Sequence, residues 1–101
     1  MAVTVLVELQ IKEDKVETLL QGIKETLPDM RAFDGFVAFE VVQNQEKPTN
    51  IILIQKWQTR AHHDNYLIQE GLSRTEIGGI EQLGTMLVGA PSVRYFDTQE
   101  V

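Results

Sequence analysis

The sequence predicts an α+β fold of the ferredoxin-like type, an antiparallel sheet with helices on one face. Three observations predict it. Period-two and helical patterns follow one another in the order βαβ-β-α-(α)-β, the chain is only 101 residues long, and it has no cysteine. With 43% hydrophobic residues in that length there is room for one core, so residues 1–101 read as a single domain. Without cysteine, disulfide staples and thiol chemistry are excluded, and the fold must rest on packing.

The elements follow in order. Val3, Val5, Val7, Leu9 and Ile11 alternate with Thr4, Leu6, Glu8 and Gln10, the signature of a strand. This stretch, MAVTVLVELQ, has no charged leader or long apolar run, so it reads as a strand and not as a signal peptide. Over residues 13 to 31 the period changes: Val16, Leu19, Leu20, Ile23, Leu27 and Met30 recur at helical spacing, with Glu13, Asp14 and Glu17 in the first turn. Pro28 should kink or end that helix. Asp34-Gly35 signals a turn, FVAFEVV a second strand, NQEKPTN a hairpin loop and IILIQKW a third strand. Thr59 is placed to cap a short helix starting at Arg60. From Gly71 to Gly89, Leu72, Ile80, Leu83 and Leu87 suggest a further helical stretch interrupted by glycines, before Ala90-Pro91 and a last strand, SVRYF.

The strand pattern implies a partner. A sheet with one wet face alternates cleanly, yet IILI is apolar on both sides and VLV and FVAF nearly so. Helices cover one face only, and the simplest cover for the other is the same face of a second copy. A homodimer through the sheet face is expected.

Charge narrows the other partners. The net charge is −6 and the nine Lys and Arg are scattered singly, including Arg74, which reads as surface. Nucleic acid and anionic membranes need clustered cations, so neither is an expected partner. No run approaches bilayer-spanning length, and a cytoplasmic location is the expectation.

The segment KWQTRAHHDNYL raises the question of chemistry, because it holds the only Trp and the only two His. Trp57 at a strand end is either core or the platform of a pocket. His62 and His63 point about 100° apart on a helix, so only one faces the sheet. Adjacent His are poor chelators compared with pairs one turn apart, so no metal site is assigned to His62, His63 and Asp64. Helical phase groups His63 with Tyr66 and Leu67, which makes His63 the inward histidine and His62 a solvated bystander. Any group orienting His63 must then come from another element. Arg94 and Tyr95 point to opposite faces of the last strand, and either could reach a pocket or a dimer seam.

VTVLVELQIKEDKVETLLQGIKETLP, FDGFVAFEVVQNQ, LIQKW and MLVGAPSVRYF together resemble the antibiotic biosynthesis monooxygenase (ABM) family, nearly end to end. The most specific element is a third strand ending in Trp, followed two residues later by Ser, Thr or Asp at a helix start, which Trp57 and Thr59 match. The resemblance implies a dimeric α+β barrel. It also implies activities ranging from cofactor-independent oxygenation of phenols and quinols to haem degradation and ketose-phosphate isomerisation. Trp57 matches a pocket Trp that flanks aromatic substrates, and His63 stands where quinone-forming members carry a pocket Tyr. Leu53 stands where they carry a strand Asn, and Leu67 replaces the iron-ligand His of the haem-degrading branch, which speaks against haem.

Cofactor-free oxygenation needs an electron-rich substrate, a base, a dry cavity and polar groups for the developing anion. His63 titrates in the right range for the base, with Trp57 as its catalytic companion on the resemblance. Gln55, Tyr66, Phe39 and Leu53 are the expected substrate-binding residues, and no cofactor or metal is expected. The expected function is a cofactor-independent monooxygenase on a small aromatic, quinol-type molecule. An isomerase of a small carbonyl metabolite and a non-catalytic ligand-binding dimer are the alternatives.

Overall fold

In the computed structural model, which describes residues 2–73 and 84–101, the strands pair in the order β2-β3-β1-β4, all antiparallel. They are β1 (Val3–Gln10), β2 (Phe36–Gln43), β3 (Asn50–Trp57) and β4 (Ser92–Asp97). A short 3₁₀ turn, Glu13–Lys15, leads into α1 (Val16–Arg31), and α2 (Arg60–Ser73) follows β3. This is the ferredoxin-like arrangement that the order of patterns predicts. Among the described residues no helix is long and apolar enough to cross a membrane.

The two apolar stripes expected of the strands separate cleanly. Val5, Val7 and Leu9 of β1, with Ile51 and Leu53 of β3, are buried beneath the helices against Leu19 and Met30 of α1 and Tyr66 of α2. The opposite face carries Leu6, Ile52 and Ile54, which are only half-buried, and Val42 and Phe96, which are exposed. Its charged residues are Glu8, Glu40, Lys56 and Arg94, two of each sign, with Arg94 lying 3.7 Å from Glu8.

Two local expectations are corrected. α1 runs through Pro28 to Arg31, the end of the 13–31 pattern, so the stop that was one of the two effects expected of the proline is not met. A proline removes a single helical hydrogen bond, here the one to the carbonyl of Lys24. Lys24 and Pro28 both lie on the exposed side of α1, where water can take over that carbonyl. The helical stretch read between Gly71 and Gly89 is met only in part. Residues 84–86 are helical, whereas Leu87 forms an antiparallel bridge with Ile11. Ile80, Leu83 and Arg74 lie outside the described residues.

The turn into β2 is set by Gly35, whose φ of +83° is a conformation that side chains resist. A Cβ at this position would also collide with the ring of His62, so the turn and the start of α2 meet through the missing side chain. Gly35 then accepts a hydrogen bond from the Gln58 amide at 2.8 Å, fixing the chain between β3 and α2.

Candidate functional site

Between the helical layer and the sheet lies a cavity of about 210 Å³. Its apolar wall comes from Leu19, Ile23 and Met30 of α1 and from Val7, Phe39 and Leu53 of the sheet. Thr26, Gln55, His63 and Tyr66 supply the polar atoms, and no charged side chain lines the cavity among the described residues. Five of the six residues singled out in the sequence therefore meet in one place: His63, Gln55, Tyr66, Phe39 and Leu53.

Trp57 is the sixth, and it does not reach the wall. Fully buried, it packs one layer behind, edge-on to Phe36 at 5.6 Å and tilted against Tyr66 at 5.2 Å and His63 at 5.9 Å. Its indole N–H donates to Oε1 of Gln55 at 3.0 Å. An indole N–H can only donate, so this bond fixes which end of the Gln55 amide is oxygen. Nε2 of Gln55 is left as the donor available to a bound molecule. Trp57 thus reaches the cavity through the residues it holds.

His63 comes from the second turn of α2, whose start is capped as the sequence suggests. The Thr59 carbonyl accepts from the His63 amide at 3.4 Å, and the Thr59 hydroxyl accepts from the His62 amide at 3.2 Å. That phase buries the His63 side chain at 1% exposure. Nδ1 lies 3.1 Å from the hydroxyl of Tyr95, whereas Nε2 is buried with no hydrogen-bond partner among the described residues. Burial holds the imidazole below its ordinary pKa of 6.5; the Asp64 carboxylate opposes that shift and the Arg60 guanidinium adds to it. Near neutral pH the ring is therefore uncharged and able to accept a proton.

His62 differs from the solvated bystander expected. It is half-buried against Gly35, with Nδ1 2.7 Å from the Thr59 hydroxyl and Nε2 3.5 Å from Asp34. It remains outside the cavity lining, and its contacts are those of a joint between the turn and the helix. Among the described residues no three His, Cys, Asp or Glu are grouped to hold a metal ion.

Tyr95 is the residue that sequence reasoning left undecided. Pairing of Val5 with Tyr95 puts it on the helix-covered face of β4, where it meets His63, while neighbouring Arg94 pairs with Leu6 on the other face. The Arg60 guanidinium lies 3.9 Å from the centre of the Tyr95 ring, a cation–π contact that pins it. Burial raises the Tyr95 phenol above its usual pKa of 10.0, as does Asp64, with Arg60 opposing. The hydroxyl therefore keeps its proton wherever His63 titrates.

A four-stranded sheet with helices over one face and an apolar cavity between the layers defines a small cavity-bearing α+β domain. The chain belongs to the antibiotic biosynthesis monooxygenase family, whose model matches residues 2–74. Among solved structures it is similar to a conserved protein from Methanosarcina mazei Go1, with 17% identity and a TM-score of 0.83 over 98% of this chain and 94% of that one. It is also similar to a mutant of SnoaB, a cofactor-independent oxygenase from Streptomyces nogalater, with 14% identity and a TM-score of 0.80 over 99% and 95% of the two chains. At such identities these likenesses establish the fold alone. No curated protein matches the chain in sequence.

Proposed function

We propose that the protein is a cofactor-independent monooxygenase acting on a small, uncharged aromatic molecule of the quinol or anthrone type. The observation that carries this reading is His63: a buried, uncharged imidazole on the wall of an apolar cavity, with Nε2 free of any partner among the described residues. Membership of a monooxygenase family and similarity to a cofactor-independent oxygenase point the same way. A cavity of about 150 Å³ lined by aliphatic and aromatic residues suffices for benzene, so about 210 Å³ suits one or two rings. The lack of a cation on the described wall disfavours phosphorylated or carboxylated substrates, the ketose-phosphate class included.

In this mechanism Nε2 of His63 removes a proton from the substrate's activated carbon or hydroxyl. The resulting anion reduces O₂ by one electron, and the two radicals join in a C–O bond. The peroxide then loses its remaining carbon-bound proton as the O–O bond breaks. One oxygen atom stays in the new carbonyl and the other leaves as water, with all electrons coming from the substrate. Nε2–H of Gln55 stabilises the oxyanion, and the apolar wall keeps water from quenching it.

The decisive assay incubates the protein with a panel of anthrones and hydroquinones under oxygen, with metals chelated. Quinone formation well above the buffer rate is expected. No turnover together with tight binding of a ligand would favour a non-catalytic role. The pH profile adds a second readout. Because the folded pKa of His63 lies below 6.5, the base form persists into mild acid, and the acid limb of kcat/KM should fall below pH 6.5. The stability linked to uncharged His63 is present above the unfolded value and is lost as pH falls through the lowered folded one.

We read the working form as a cytoplasmic homodimer in which two sheets pack face to face. The half-buried Leu6, Ile52 and Ile54 need cover, and the balanced charges of that face offer no net repulsion despite the overall charge of −6. Sedimentation equilibrium at micromolar concentration should return twice the chain mass, and Ile54→Glu should return a monomer. A stably folded wild-type monomer would overturn the dimer.

A further inference from the structure

We propose that Tyr95 is a positioning residue that sets the tautomer of His63, holding the proton on Nδ1 so that Nε2 stays a bare acceptor. The inference rests on the reading of His63 as the base and adds what makes it one. An imidazole can remove a proton at Nε2 only if its own proton sits on Nδ1. Nothing in the sequence of α2 dictates that; the choice belongs to whatever faces Nδ1.

Counting donors decides it. If the Tyr95 hydroxyl donated to Nδ1 at 3.1 Å, the His63 proton would move to Nε2, where it would be a buried N–H without an acceptor among the described residues. Orphaned buried N–H groups are rare and costly. If instead Nδ1–H donates to the Tyr95 oxygen, the tyrosine proton rotates away from the imidazole, on a residue that keeps part of its surface in solvent. No N–H of His63 is then left without an acceptor, and the unmet group of the ring is the Nε2 lone pair. After proton transfer the same tyrosine oxygen still accepts from Nδ1–H of the imidazolium, now as a stronger, charge-assisted bond. The partner need not rearrange during the reaction.

The surroundings support this arrangement. Arg60 over the ring holds Tyr95 in place, while burial and the Asp64 carboxylate, against the pull of the guanidinium, keep the hydroxyl from standing in as an anion. Among the described residues, the titratable or charged groups facing the pair are Arg60, Asp64 and Tyr66 from α2 and Tyr95 itself from β4. From β3, His63 meets Trp57, which does not titrate.

The test is ¹⁵N NMR of the histidine side chains in the uniformly labelled, unliganded protein, with sequence-specific assignment separating His63 from His62. In the wild type, Nδ1 of uncharged His63 should be pyrrole-like and Nε2 pyridine-like, with a preference of roughly five-fold or more for one hydrogen bond's worth of bias. In Tyr95→Phe that preference should collapse, and the His63 titration should move to lower pH because the imidazolium loses its charge-assisted partner. A wild-type ring protonated mainly on Nε2 overturns the proposal without recourse to any variant. So does a Tyr95→Phe spectrum with unchanged tautomer and titration. Since no substrate enters the measurement, the predicted tautomer in a protein that turns nothing over would fault the oxygenase reading and leave the Tyr95 assignment standing.

Discussion

His63→Ala is expected to lower turnover of a quinol-type substrate by roughly 10²-fold or more, the usual scale for the loss of a general base. The variant removes a buried ring whose Nε2 has no structural partner to lose among the described residues, so the effect should sit in kcat more than in KM. The control is the neighbouring position. His62→Ala gives up contacts with Thr59, Asp34 and Gly35, all outside the cavity, and should turn over near the wild-type rate with some loss of stability. The reverse pattern would transfer the role to His62. Indifference to both changes would remove histidine from the mechanism.

Trp57→Ala should act first on stability. The side chain is fully buried among Phe36, His63 and Tyr66, and emptying such a site costs about 3–5 kcal/mol. Domains of this size hold roughly 5–15 kcal/mol in all, so the urea midpoint should fall steeply. Trp57→Phe isolates the other contribution. It keeps a ring against Phe36 and Tyr66 but removes the N–H that holds Oε1 of Gln55, at about 1 kcal/mol for the bond plus the lost volume. The freed amide can then rotate, so binding of quinol analogues should weaken in Trp57→Phe beyond its modest loss of stability. Full stability in Trp57→Ala together with a collapse of kcat would contradict the packing role and restore Trp57 as a direct substrate platform.

What the sequence made legible is what local periodicity controls. Val5, Val7 and Leu9 alternate because a strand does, and His63, Tyr66 and Leu67 share a face because a helix turns by 3.6 residues. Those two rules alone place His63 inward and group it with the right neighbours. The order of those patterns gives the ferredoxin-like fold and family resemblance draws attention to Trp57, but neither carries depth. Whether Trp57 or Gln55 meets the cavity depends on how far α2 leans over the end of β3, and no pattern within either element encodes that. Tyr95 was out of reach for a related reason. Period two puts it opposite Arg94, but its meeting with His63 requires that β4 pair with β1 in one register, a contact spanning thirty-two positions. Pro28 shows the converse, a local rule overridden because its orphaned carbonyl faces water.

The contact between Gly35 and His62 makes two distant positions behave as one unit of variation. A side chain at 35 needs both a residue type that tolerates the left-handed region and a smaller residue at 62, since the space it would fill is already taken by the imidazole. Substitutions at the two sites should therefore be strongly non-additive, and neither can be scored on its own background. In a library randomised at both, glycine at 35 should persist with almost any residue at 62, whereas the few survivors with Asn or Asp at 35 should carry Gly, Ala or Ser at 62. The histidine that does no chemistry would then be the one whose identity most restricts the turn.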